Sequence, residues 1–161
     1  MPILIPKHSE RSYPGRGKFS MNLDPPPAQQ EKPLDRDRVL QILSIYREAW
    51  ETRDPEKILT IFTPDATYRE RAFDEPLRGH EGIRRYWETK VLREQANLDF
   101  ALLHLYLDGN TAIAEWEVEF DDLPARVRRR MREVAILEFR GGRIASLREY
   151  WCAITVGKCK S

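Results

Sequence analysis

Apolar positions follow no period over the first 34 residues, and from Asp35 onward they fall into two successive rhythms. Val39, Leu43, Tyr46 and Trp50 recur at steps of four, three and four, which places them on one face of a helix with Asp35 as its N-cap. Asp54-Pro55 starts a second helix, because Asp caps well and Pro suits a first helical position where its missing N–H costs nothing. Ile58, Leu59, Ile61 and Phe62 supply its buried face, Thr63-Pro64-Asp65 ends it, and residues 66–71 alternate as a short strand. Gly79 and Gly82 bracket the start of a third helix, with Ile83, Trp87 and Val91 on one face. After Asn97 the period changes to two, predicting strands at 98–107, 111–120, 126–139 and 144–155. Asp108-Gly109-Asn110, Asp121-Asp122-Leu123-Pro124 and Gly141-Gly142 form the turns.

Short connections require antiparallel pairing of successive strands. The predicted architecture is therefore α+β, with three N-terminal helices packed on one face of a curved, mostly antiparallel sheet. Strand parity assigns the faces. Ala114, Trp116, Val118 and Phe120 point one way, and Glu115, Glu117 and Glu119 the other. Arg128, Arg130 and Arg132 follow at every second residue of the next strand. If paired positions sum to an odd number, such as 247, these arginines meet the glutamates in a cross-strand ladder that fixes the register. Met131 belongs with the apolar face. For the last strand, periodicity leaves two inward sets open: Leu147, Glu149 and Trp151, or Arg148, Tyr150 and Cys152.

Composition limits the function classes. Lys plus Arg number 27 and Asp plus Glu 26, a balance that argues against a general nucleic-acid binder. No apolar run approaches the ~20 residues needed to cross a bilayer. Seven of the eleven prolines lie in the first 33 residues, so 1–34 reads as a Pro-rich leader or extended arm, with Met21 a candidate start residue. The domain then spans 35–155 and a tail 156–161. Cys152 and Cys159 match neither a zinc ribbon nor a disulfide framework and read as reduced thiols, with the cytoplasm as the expected compartment.

Several segments together carry a family resemblance. Ala49-Trp50-Glu51-Thr52-Arg53-Asp54-Pro55 leads to Ile61-Phe62-Thr63-Pro64-Asp65-Ala66-Thr67-Tyr68. Pro76-Leu77-Arg78-Gly79-His80-Glu81-Gly82-Ile83 and the closing Gly142-Arg143-Ile144 with Leu147-Arg148-Glu149-Tyr150-Trp151 complete the set. In order and spacing, residues 37–154 resemble the SnoaL-like branch of the nuclear transport factor 2-like superfamily. That resemblance implies a cone-shaped α+β barrel around an apolar cavity. It also implies a range of roles, from ketosteroid isomerase and polyketide cyclase to plain carriers, so function must be argued from the site.

On the ketosteroid isomerase pattern, the helix-one tyrosine that donates to an oxyanion falls at Tyr46 and the carboxylate base at Glu70. The second oxyanion-hole acid falls at Ala135, which has no donor, so steroid isomerisation is not expected. Trp116 and Trp151 fall on the pocket wall, and Glu149 replaces an apolar residue there. The resemblance thus turns Leu147, Glu149 and Trp151 inward, and Tyr68 joins them at the pocket. Three roles are open to Glu149: a second acid, the orientation of a substrate amine, or pairing with a buried arginine such as Arg129, of which the last, a structural role, is the expected one. His80 and His104 lack metal-ligand spacing, and no phosphate loop or nucleophile elbow appears, so neither metal nor cofactor is expected. The expected function is binding of a small, partly apolar organic ligand. Cofactor-free isomerase, cyclase or dehydratase chemistry would use Glu70 as base and Tyr46 as donor. The alternative is a non-catalytic carrier or a dimeric module. A homodimer through the sheet face bearing Val134 and Ile136 is expected under either reading, with no nucleic-acid or membrane partner.

Overall fold

The computed structural model describes residues 34–159; the expectations for the leader and for Met21 lie, Leu34 apart, outside the described residues. Helix α1, Arg36–Thr52, is capped by the Asp35 carboxylate, which accepts from the Asp37 N–H at 3.1 Å. It buries Val39, Leu43, Tyr46 and Trp50 as their spacing predicts and ends at Arg53 in the left-handed conformation. Helix α2, Pro55–Leu59, is capped by Asp54, which accepts from the Glu56 and Lys57 N–H groups at 2.9 and 3.0 Å.

Strand β1, Phe62–Arg69, begins four residues earlier than predicted, so Thr63-Pro64-Asp65 lies within it. The register against its neighbour shifts between Phe62 and Thr67, and Pro64 sits in that irregular stretch, where no ladder N–H is required of it. After the two-residue β2, Leu77–Arg78, comes helix α3, Gly79–Tyr86, which continues through a π-helical turn at Trp87–Val91 and a last turn at Leu92–Glu94. Gly79 has φ of +63°, and a Cβ there would lie 3.1 Å from the Pro64 carbonyl oxygen, so the start of α3 needs glycine on both counts. Ile83, Trp87 and Val91 are buried together as predicted.

Four long strands follow: β3, Gln95–Asp108; β4, Thr111–Asp122; β5, Val127–Arg140; and β6, Arg143–Lys158. They include the predicted segments, apart from Arg126 in the turn before β5, and β6 runs past the expected boundary at 155. The six strands lie in the order β2-β1-β6-β5-β4-β3. All neighbours are antiparallel except β1 and β6, which run parallel. The barrel implied by the resemblance is not closed. Among the described residues β2 and β3 are the edges of the sheet, and a two-residue β2 leaves little ladder with which to complete a ring.

On the outer face the predicted ladder forms with paired positions summing to 249. Glu117 faces Arg132, Glu119 faces Arg130 and Asp121 faces Arg128. Arg132 reaches Glu117 at 2.7 Å and Arg130 reaches Glu119 at 2.8 Å. The inner face of the sheet packs Trp116, Val118 and Leu137 with the buried sides of α1 and α3 in a single core cluster. Both cysteines are free thiols.

Candidate functional site

Period-two alternation on β5 buries Met131, Glu133, Ala135 and Leu137 on the inner face, and on β6 it buries Leu147 and Glu149. Two carboxyls are thereby carried into an apolar layer. Glu133 stands opposite Trp151 and Ala135 opposite Glu149, so the two glutamates are diagonal neighbours across adjacent strands, within reach of long side chains. They are 1% and 4% exposed.

From above, α1 lowers Tyr46 onto this pair. Its hydroxyl donates to Glu149 Oε1 at 3.0 Å, and the Tyr68 hydroxyl from β1 acts on the same carboxyl. Tyr46 is wedged edge-on against Trp50 and Trp87, with ring centroids 5.9 and 6.0 Å away. Tyr68 meets Tyr86 at 5.4 Å with the rings perpendicular. These rings and both glutamates line a cavity of about 390 Å³.

Desolvation governs the protonation of the site. Burial pushes the Glu149 carboxyl up to about 8, with the Glu70 charge adding to the rise; the Tyr68 and Tyr46 hydroxyls and the neighbouring Glu133 carboxyl hold it back. Burial and then the charge of Glu149 drive Glu133 well above the carboxylate range. Among the described residues, neither Glu133 oxygen nor the nearby Trp116 indole N–H has a partner within hydrogen-bond geometry. Tyr46, Tyr68 and Tyr86 are all held well above their ordinary value, chiefly by burial and next by the Glu149 charge, so their hydroxyls stay neutral donors.

The rim is polar and paired. Arg71 Nε lies 3.2 Å from Glu70, Lys90 Nζ lies 3.1 Å from Glu94 and Arg129 Nε lies 3.2 Å from Asp122. Trp151 donates its indole N–H to the Glu70 carbonyl at 3.1 Å, while the Arg71 guanidinium sits over its ring at 5.4 Å.

The structure therefore gathers Tyr46, Tyr68, Glu70, Glu149 and Trp151 around one cavity. Trp116 and Leu147 are buried in the core layer and do not line it. Glu149 bonds Tyr46, not the expected Arg129. Arg129 pairs with Thr155 and Glu149 with Ala135, six residues apart along β5 or about 20 Å. Sequence reasoning missed Glu133, although the signal was present: Met131 was assigned inward, and Glu133 is the next inward position on the same strand. His80 is taken up by the Phe62 carbonyl at 3.1 Å, and His104 lies 4.0 Å from Glu115 on the sheet. Among the described residues no three of His, Cys, Asp and Glu cluster to hold a metal ion.

Residues 44–147 match the SnoaL-like domain model. No curated protein matches the chain. Among solved structures, SalBIII, an epoxide hydrolase/cyclase-like enzyme of pyran ring formation in salinomycin, is 22% identical. It is similar over 76% of this chain and 98% of its own, with a TM-score of 0.65. A protein of ketosteroid isomerase-like fold from Catenulispora acidiphila, solved with trimethylamine, is 22% identical over 68% of this chain and 84% of its own (TM-score 0.62). An LEH-like epoxide hydrolase of M. tuberculosis is 14% identical over 72% and 84% (TM-score 0.60). At these identities the likeness is one of fold.

Proposed function

The chain belongs to the SnoaL-like domain family, and from that premise we propose that it is a small-molecule enzyme of the isomerase, cyclase or dehydratase kind, with the Glu133–Glu149 pair as its acid and base. The observation that carries this reading is the Tyr46 hydroxyl 3.0 Å from Glu149 beside Glu133 in an aromatic cavity. A carboxyl held near 8 is matched to proton transfer close to neutral pH, where acid and base forms are both populated.

The roles divide by environment. Glu149, which accepts from Tyr46 and is favoured in its charged form by Tyr68 as well, is the group that ionises and takes a proton from the ligand. Glu133, without a partner and likewise held neutral by burial, returns one to the oxygen that gains electrons. In a ring closure, a ligand hydroxyl oxygen bonds to an electrophilic carbon and loses its proton to Glu149. The C–O bond at that carbon breaks with its electrons on the departing oxygen, which Glu133 protonates. Proton count is conserved, and transfer between the adjacent carboxyls resets the pair. Glu70 then stays at the rim, where its charge helps raise Glu149. The sequence alone assigns Glu70 the role of base; this reading gives that role to Glu149.

Two neighbours are named for epoxide hydrolase or cyclase-like chemistry, a reaction class that an acid–base carboxyl pair serves. A third was solved with a small organic base, in keeping with small-molecule binding in this fold. The test is a panel of hydroxy-epoxides and enolisable ketones followed by NMR in D₂O. Wild type should convert at least one member, and Glu149→Gln should lower its rate about 100-fold or more. An inert wild type, or an unchanged rate in the variant, would refute the reading.

A further inference from the structure

The charges of the cavity do not cancel evenly with depth. At the rim each cation already faces an acid: Arg71 with Glu70, Lys90 with Glu94, and Arg129 with Asp122. At the floor, among the described residues, neither Glu133 nor Glu149 forms an ion pair. The groups that act on them most strongly are Tyr46, Tyr68, Trp116, Glu70 and each other, and none of these is a cation. Glu133 is 99% buried, lines the cavity, and has both oxygens unpaired. A buried carboxyl without a partner is costly, and Glu133 stands beside a second buried carboxyl, Glu149, with no cation on either among the described residues.

The walls suit a cation as well. Tyr46, Tyr68, Tyr86, Trp50 and Trp87 turn aromatic surface toward the space above the carboxyls, and a ring face attracts positive charge. The chain already uses Trp151 in this way, with the Arg71 guanidinium over its ring.

We propose that the ligand of this cavity is a protonated organic amine, with its N–H groups against Glu133 and Glu149 and its apolar substituent against the aromatic walls. The inference rests on the carboxyl pair being the reacting site and names the substrate class of that site. An ammonium group supplies both things the floor lacks: hydrogen-bond donors for the open Glu133 oxygens and a positive charge for the pair. It also favours the ionised form of Glu149, so binding near neutral pH expels that proton and leaves Glu149 as a carboxylate ready to act as base, while Glu133 keeps the proton it delivers. The rim cations Arg71, Lys90 and Arg129 are offset by their own acids, Glu70, Glu94 and Asp122, and set no net positive charge against the ligand.

The experiment is titration calorimetry of the full chain at pH 7 with two probes of the same size, 2-phenylethylamine and 2-phenylethanol. The amine should bind at least about tenfold more tightly, and its heat should vary with the buffer as protons are released. Glu133→Gln should reduce the amine to the affinity of the alcohol while leaving the alcohol unchanged; Glu149→Gln provides the same comparison should the first variant fail to fold. An alcohol bound as tightly as the amine, or no binding of either probe, would overturn the inference. Tight alcohol binding together with a Glu149-dependent turnover would do so without touching the acid–base reading.

Discussion

Glu149 holds its proton to about pH 8 in the folded chain, against an ordinary carboxyl value of 4.5, because burial between Tyr46 and Tyr68 penalises its charge. That rise has a defined sign. Between about pH 4.5 and about pH 8 the folded state binds more protons at this site than the unfolded state. Stability from the site is complete below the lower value and is lost as pH climbs through the upper one. A glutamine has the shape of the protonated acid and never ionises. Urea unfolding should therefore find Glu149→Gln close to wild type at about pH 5 and more stable by several kcal/mol at about pH 9. Equal stability at both pH values would mean that the carboxyl ionises freely in the fold. Tyr46 and Glu149 were legible in the sequence because the family pattern gives each a position. Glu133 was not singled out, since a glutamate among Arg130, Arg132 and Glu138 reads as surface charge until its parity with Met131 is applied.

Between β4 and β5, alternation alone predicted the glutamate–arginine ladder, because one register sets every opposed pair. What alternation does not convey is depth. Arg130 and Arg132 are exposed and screened by water, whereas Arg128 is 5% exposed. It lies 3.3 Å from Asp121, is within ion-pair distance of Glu119 and donates to the Asn97 carbonyl at 2.6 Å. Removing Arg128 takes the cation from beside the buried Asp121, which keeps its hydrogen bond from Asn97, so Arg128→Ala should cost about 3 kcal/mol in urea unfolding with little dependence on salt. Arg130→Ala should cost far less, and that small loss should shrink further at high salt. Comparable losses for the two variants would contradict this division. The start of β1 was misread for a related reason: Pro64 signals a break locally, but it is tolerated where the β1–β6 register shifts.

Across the molecule, the order of helices and strands followed from periodicity, and the open sheet did not. The parallel pairing of β1 with β6 joins segments about 80 residues apart in the chain, which no local pattern announces. That pairing sets Tyr68 opposite Leu147 and beside Glu149, so the candidate site is a product of the longest-range contact in the sheet. The outer face exposes Val134, Tyr150 and Ile154 beside the charged ladder, and the inner face encloses the cavity. Both proposals for the cavity depend on two glutamates that the fold holds together against their own repulsion. A direct check is the carboxyl ¹³C titration of glutamate-labelled protein, with the Glu149 resonance assigned by its loss in Glu149→Gln. Its midpoint should fall near pH 8; a midpoint near pH 4.5, with the other glutamates, would contradict the buried acid–base pair.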